Sequence, residues 1–372
     1  MSSQKVIGIT CFKGNNKLKF KKFLLSLILT PKLSDDDIDK LNSQVINAIY
    51  KKISNKSNFT EEEVKKINDE LKKETGLSFT NFISLNGNDI EIINPKFSIE
   101  QICKIKIITS EFLKFDKDIK ILEMYDYFIN HGFKSIEYNE EEFKNLTIEF
   151  LQDGLFNSKI INDFKKLWKG KIVINGTKQK TNLMINRNIF LERHKNDYVH
   201  FCDDDDISAD LKTLNLMFDV VIRRRETILK ENENIKQEIN NENIKPNPQF
   251  YGTIFVFPSW TINKINKQPE LTFRRGFWGS IICPNTPNNY TKINDTYKED
   301  YYYYMNHKDN IIIFTFPSCI YYYIEASQTN YKIGEHKIQH QFNKNSIFEY
   351  SDNLIYKASD WTNLWDDSFE KI

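Results

Sequence analysis

Two periods of apolar residues alternate along the chain, and they predict its elements. "KVIGITCF" (5–12) is rich in β-branched residues and closes on the turn signal "KGNN", which predicts a buried strand. "KLKFKKFLLSLILT" follows with apolar residues at helical spacing and lysines between them, so a helix is expected next. From about 31 to 80 the pattern is helical and very polar: "SDDDIDKLNSQVINAIYKKI", then "NFTEEEVKKINDELKKETG". Ser34 or Asp35, and Thr60, are N-cap candidates ahead of acidic first turns. This stretch reads as a helical insertion, either a specificity lid or surface decoration.

Beyond it, "NDIEIIN" (88–94) reads as a strand and "KIKIITS" (104–110) as a third. "DIKILEMYDYFINHGF" reads as a helix and "KSIEYN" as a short strand. "EEEFKNLTIEFLQDGL" and "SKIINDFKKLWKG" read as helical, and "KIVIN" (171–175) as a buried strand. A helix bearing Leu183, Met184, Ile189 and Phe190 leads into the strand "YVHFC", which runs straight into Asp203, Asp204, Asp205 and Asp206. Ser208 is placed to cap the long helix that follows, which loses its apolar stripe near Lys230 and gives way to the linker-like "NNENIKPNPQ".

The C-terminal part is strand-rich at 250–260, 271–285 and 310–327, with an expected helix in "NDTYKEDYYYYMNH" carrying Glu299 and Asp300. The tail, "SDWTNLWDDSFEKI", places two tryptophans at helical spacing and is expected to dock on the body. No internal repeat is visible. Strands alternating with helices predict the α/β class, a mostly parallel sheet with helices on both faces.

Composition narrows the picture. The chain has 372 residues, 40% hydrophobic and 14% aromatic, enough for a large core and one to three domains. Lys+Arg at 52 nearly cancels Asp+Glu at 51, so net charge gives nucleic acid and membrane surfaces no support as partners. Five scattered cysteines without a CxxC pair argue against a disulfide framework or a structural zinc, and for a reducing compartment. The N-terminus lacks a signal-peptide layout, and "FLLSLIL" is far too short to span a bilayer. A cytoplasmic protein without a transmembrane segment is expected. Heavy use of Lys, Asn and Ile suggests an AT-rich genome, with a viral, phage or protist source and then a host-cytoplasmic setting.

The four aspartates carry the first candidate chemistry. Adjacent carboxylates repel, so the run is either a solvated acidic turn or a cation site. At the carboxyl end of a strand, where open α/β sheets bind ligands, alternate side chains converge: Asp203 with Asp205, Asp204 with Asp206. Oxygen ligands completed by water and phosphate suit Mg²⁺ or Mn²⁺. The basic "IRRRET" (222–227) sits mid-helix and reads as a solvated face.

"NLMINRNIFLERHKNDYVHFCDDDD" resembles the nucleotide-sugar site of GT-A fold glycosyltransferases of the family 2 type: an Arg-Asn pair (Arg187, Asn188) on a helix, a turn, a hydrophobic strand and an Asp-rich motif. "KVIGITCFKGNNKLKFKKFLLSLI" looks like that family's first strand and helix, with Cys-Phe-Lys-Gly-Asn-Asn replacing the customary turn. "NDIEIIN" looks like its second strand, though the acidic residue that usually follows and meets the nucleobase is missing. "YKEDYYYY" supplies Glu299 and Asp300 where inverting members place a Glu-Asp pair, and "RRGFWGSIICPN" looks like the acceptor-side strand.

The resemblance implies a GT-A catalytic domain over 1–30 and 81–372, with a nucleotide-sugar half to about 206 and an acceptor half over about 207–345. The insertion at 31–80 and the packed tail at 346–372 have no counterpart in it. It implies transfer of a sugar, most simply from a UDP-sugar, with Mn²⁺ or Mg²⁺ held by Asp203, Asp205 and Asp206, and His307 as a further ligand; His336 and His340 share that part of the chain. Arg187, Asn188, Asp203 and Asp204 would meet the donor, Asp300 with Glu299 would supply the base, and Trp278 and Arg275 would meet the acceptor. That acceptor is a glycan, a protein side chain or a hydroxymethylated DNA base. Two readings from other classes remain: a metal-dependent nuclease or nucleotidyltransferase, and an inactive nucleotide-sugar binding module.

Overall fold

The computed structural model describes residues 3–11, 17–54, 56, 58–75, 77, 81–86, 89–153, 158–177, 183–204, 207–239, 254–256, 259–262, 269–272, 280–286, 311–314, 319–323 and 347–349. In chain order the elements begin β1 (Lys5–Cys11), α1 (Lys17–Ile28), β2 (Leu29–Pro31), α2 (Asp35–Ile53), α3 (Glu61–Thr75), β3 (Ile83–Asn86), β4 (Asp89–Ile92) and α4 (Lys96–Ile108). A π-helical turn (Thr109–Leu113), α5 (Ile121–Asn130), β5 (Phe133–Ser135), α6 (Glu140–Phe143), β6 (Leu146–Asp153), α7 (Ser158–Leu167), β7 (Lys171–Thr177), α8 (Leu183–Arg193), β8 (Tyr198–Asp203) and α9 (Leu211–Ile239) follow. The remaining strands are β9 (Ile254–Val256), β10 (Ser259–Ile262), β11 (Pro269–Thr272), β12 (Ser280–Ile282), β13 (Ile311–Phe314), β14 (Cys319–Tyr323) and β15 (Ile347–Glu349).

An eight-stranded sheet in the order β15-β13-β9-β12-β8-β1-β6-β7 organises the fold. Its neighbours are parallel except where β12 meets β8 and β9. The α/β class with a mainly parallel, helix-flanked sheet is therefore the observed one. β1 is buried from Lys5 to Thr10 because it is central, with β6 on one side and β8 on the other. Chain order runs outward from β1 through β6 to β7, then returns through α8 to pair β8 on β1's other edge. That reversal makes the carboxyl ends of β1 and β8 a topological switch point.

Three expectations about strands change. Residues 146–153 form the strand β6 where a helix was expected, and β6, not "NDIEIIN", is the sheet neighbour of β1. The acidic "EEEF" ahead of it makes only the short α6, capped by Asn139 at 2.9 Å to the Glu141 amide. Thr147, Ile148, Phe150 and Leu151 then go into the sheet because β1 and β7 cover both edges. "NDIEIIN" does contain a strand, β4, but it pairs antiparallel with β3 in a separate two-stranded hairpin. "KIKIITS" belongs to α4 and the π-helical turn, where Ile105, Ile108 and Phe112 turn inward at helical spacing.

Two hydrophobic clusters stand out among the described residues. Ile7, Ile9, Phe23, Leu24, Phe128, Phe150 and Phe164 belong to the larger, at the sheet. Ile38, Val45, Ile49, Val64, Leu71, Phe82 and Ile99 form the smaller, which joins α2 and α3 to the hairpin and α4. Asn68 ties this second cluster together: its side chain accepts from the Phe82 amide at 2.8 Å and donates to the Ile83 carbonyl at 2.9 Å. The caps Ser34 and Thr60 are in place, Thr60 in a reciprocal capping box with Glu63. Asp210, not Ser208, caps α9, its carboxylate accepting from the Thr213 amide at 2.9 Å. Ser208 is instead buried, donating its amide to Ser26 Oγ of α1 at 3.0 Å. Among the described residues no helix is long and apolar enough to cross a membrane.

Candidate functional site

At the switch point Thr10 of β1 and Asp203 of β8 stand side by side in register. The Thr10 hydroxyl lies 2.9 Å from Asp203 Oδ1 and 3.2 Å from the Cys202 carbonyl, and can donate to either. Arg187 of α8 donates from a terminal guanidinium nitrogen to the same Oδ1 at 2.8 Å. The Arg187 side chain is 3% exposed and Asp203's is 27%, so the guanidinium is interior and the carboxylate reaches the surface. Both bonds fall on Oδ1, which leaves Oδ2 without one among the described residues. Asp204 follows in the turn, half-buried.

Close packing of α8 on the sheet puts Arg187 there. Arg187, Phe190 and Arg193 recur at three-residue steps along the side facing β1 and β6. Phe190 presses onto Gly8: a Cβ there would meet its ring carbon at 2.9 Å. The Phe190 ring also packs against Phe201 with centroids 5.1 Å apart, and the Arg187 guanidinium lies 5.5 Å above Phe201. Glycine at position 8 thus lets the helix come close enough for Arg187 to reach Asp203.

Further along the same face lies a buried polar cluster that pattern reading missed. Glu149, 2% exposed in the middle of β6, is in register with Gly8. Its Oε1 accepts from Asn175 of β7 at 2.9 Å and is paired with Arg193. Its Oε2 faces His194 Nε2 at 3.0 Å, while His194 Nδ1 faces Asp197 Oδ2 at 3.0 Å. Asp197 also accepts from the Gln4 amide at 2.9 Å. Burial pushes the Glu149 pKa up, but the bonds from His194 and Asn175 and the nearby Arg193 outweigh it and hold the carboxyl below its ordinary value. For His194 burial pulls down, and the bonds to Glu149 and Asp197 override it, so the imidazole is raised. A lone glutamate inside "LTIEFLQD" was the available signal once that stretch is known to be a strand.

Asn188 is on α8 beside Arg187, its side chain outside the described residues. Asp205, Asp206, Arg275, Trp278, Glu299, Asp300, His307, His336 and His340 also lie outside the described residues. Among the described residues no group of three or more His, Cys, Asp or Glu side chains is gathered for a metal. β6, which lies beside β1, ends in the acidic residue Asp153.

Comparison with known proteins adds little to this geometry. No family model matches the chain, and no curated protein does. Solved structures similar to it include the crystal structure of S. aureus TarS 1-349, alone and in complex with UDP. Each is 14% identical with a TM-score of 0.30, over 50% of this chain and 52% of that chain. The likeness thus spans about half of either protein, and the reading of the site rests on its own residues.

Proposed function

We propose that this chain is a metal-dependent, inverting glycosyltransferase of GT-A type that moves a sugar from a nucleotide sugar, UDP-linked, to a hydroxyl acceptor. The observation that carries the reading is Asp203 at the carboxyl end of β8, held by Thr10 and Arg187 beside β1, with three more aspartates behind it. A carboxylate that keeps one oxygen without a bond among the described residues suits a hard divalent cation, and oxygen donors in series favour Mn²⁺ or Mg²⁺. Asp203, Asp205 and Asp206 would hold that ion, with His307 as an added ligand, and the ion supplies charge neutralisation for a diphosphate leaving group.

The chain's own groups divide the remaining work. Thr10 and Arg187 fix the rotamer of Asp203, so the carboxylate needs no reordering when the donor arrives. Asn188 and Asp204 are assigned to the donor, and Asp153 to its nucleobase side. Asp300, with Glu299 beside it, takes the proton from the acceptor hydroxyl as that oxygen bonds to the anomeric carbon. The bond from that carbon to the diphosphate oxygen breaks at the same time. Trp278 and Arg275 are assigned to the acceptor, and the segment 31–80 to a separate unit beside this catalytic domain.

A thermal-shift panel of nucleoside diphosphates and their sugars, with and without Mn²⁺, tests the reading. Stabilisation by UDP that requires Mn²⁺ and is lost in Asp203→Asn is the expected result. No metal-dependent shift with any nucleotide, together with DNA cleavage, would replace it by a nuclease.

A further inference from the structure

Both ring nitrogens of His194 face carboxylate oxygens at 3.0 Å: Nε2 faces Glu149 Oε2, and Nδ1 faces Asp197 Oδ2. A neutral imidazole carries one N–H, so one nitrogen lone pair would point at a carboxylate lone pair. Only the doubly protonated ring donates to both. The other groups around it agree. Arg193 and Asn175 satisfy the second oxygen of Glu149, the Gln4 amide takes the second oxygen of Asp197, and the Phe190 ring covers one side of the imidazole at 4.5 Å. The ring thereby joins β6 and the end of α8 to Asp197 just ahead of β8, and Asp197 in turn holds Gln4 ahead of β1.

We propose that His194 is a positioning residue, an imidazolium latch between Glu149 and Asp197 that holds α8, and with it Arg187 against Asp203. Its functional half rests on the reading of Asp203 given above. Loss of the ring proton at alkaline pH removes one charge-assisted bond and loosens α8 without touching the donor site directly. The sign follows from linkage: a histidine with a raised folded pKa adds stability that is complete below its unfolded value near 6.5 and fades as pH rises through the folded one.

Three variants of the full chain separate the outcomes: wild type, His194→Gln and His194→Arg, the last keeping a permanent cation that can fork between two carboxylates. Nitrogen NMR shifts of the wild-type ring should report both nitrogens protonated at pH 7. A neutral tautomer there overturns the latch. UDP affinity in the presence of Mn²⁺, followed from pH 6.5 to 9, should weaken roughly three- to ten-fold more in wild type than in His194→Arg. His194→Gln should sit at the weakened level throughout. Identical pH profiles for wild type and His194→Arg would refute the coupling to Arg187. If wild type binds no nucleotide at any pH, the proposed function fails, and the ring titration alone then judges the latch.

Discussion

Gly8 and Phe190 set the distance between α8 and the sheet, and everything at the candidate site depends on that distance. Gly8→Ala brings a Cβ to 2.9 Å from the Phe190 ring, which is itself fully buried. The expected cost is about 1–3 kcal/mol, read from urea unfolding, and much of it should return in Gly8→Ala/Phe190→Leu. A neutral Gly8→Ala would mean the helix can simply lift. Thr10→Val keeps the shape but deletes the donor to Asp203, so it should destabilise by about 1–2 kcal/mol. It should also weaken Mn²⁺-dependent nucleotide binding without changing the secondary structure seen by circular dichroism. Asp203 was legible from sequence because a run of aspartates after a hydrophobic strand is conspicuous. Thr10, Gly8 and Glu149 were not, because their significance is a register between strands far apart in the chain.

Elements were legible where the signal was local. The Thr60 capping box is readable as "TEEE", and it forms. Thr60→Ala should cost about 1 kcal/mol in thermal or urea unfolding while leaving nucleotide binding unchanged, since α3 packs in the second cluster. An equal loss of binding would show that this cluster and the sheet edge are coupled. Elements were misread where the decisive contact is remote. "TIEFL" follows an acidic, helix-favouring stretch and becomes a strand through its neighbours β1 and β7. "KIKIITS" alternates like a strand, yet Ile105 and Ile108 continue the buried side of a helix. Ser208 is a good cap by type, but its amide is used by Ser26, and Asp210 two residues on takes the cap.

At the scale of the molecule, His194 after α8 and His200 in β8 pull stability in opposite pH directions. His200 is 1% exposed, its Nδ1 bonded to the Ser280 carbonyl at 2.8 Å, and burial pushes its pKa from 6.5 down to about 4. The folded ring stays neutral while the unfolded one takes up a proton below 6.5. Stability should therefore fall as pH drops from 6.5 toward 4, by up to ~3 kcal/mol. Urea midpoints across that window should show the step in wild type and lose it in His200→Gln; a step that survives would assign it elsewhere. The depressed carboxyl of Glu149 adds its own loss only at lower pH, as the medium falls through its folded pKa. The sequence by itself determined the class of the fold, most helices with two of their caps, and the strand that ends in aspartates, because period, capping and turn chemistry act within a few residues. Tertiary structure alone decided which strand lies beside β1, that Arg187 meets Asp203, and that Glu149, His194 and Asp197 converge. Those are contacts between residues tens to hundreds of positions apart, and strand order fixes them where local preference is silent.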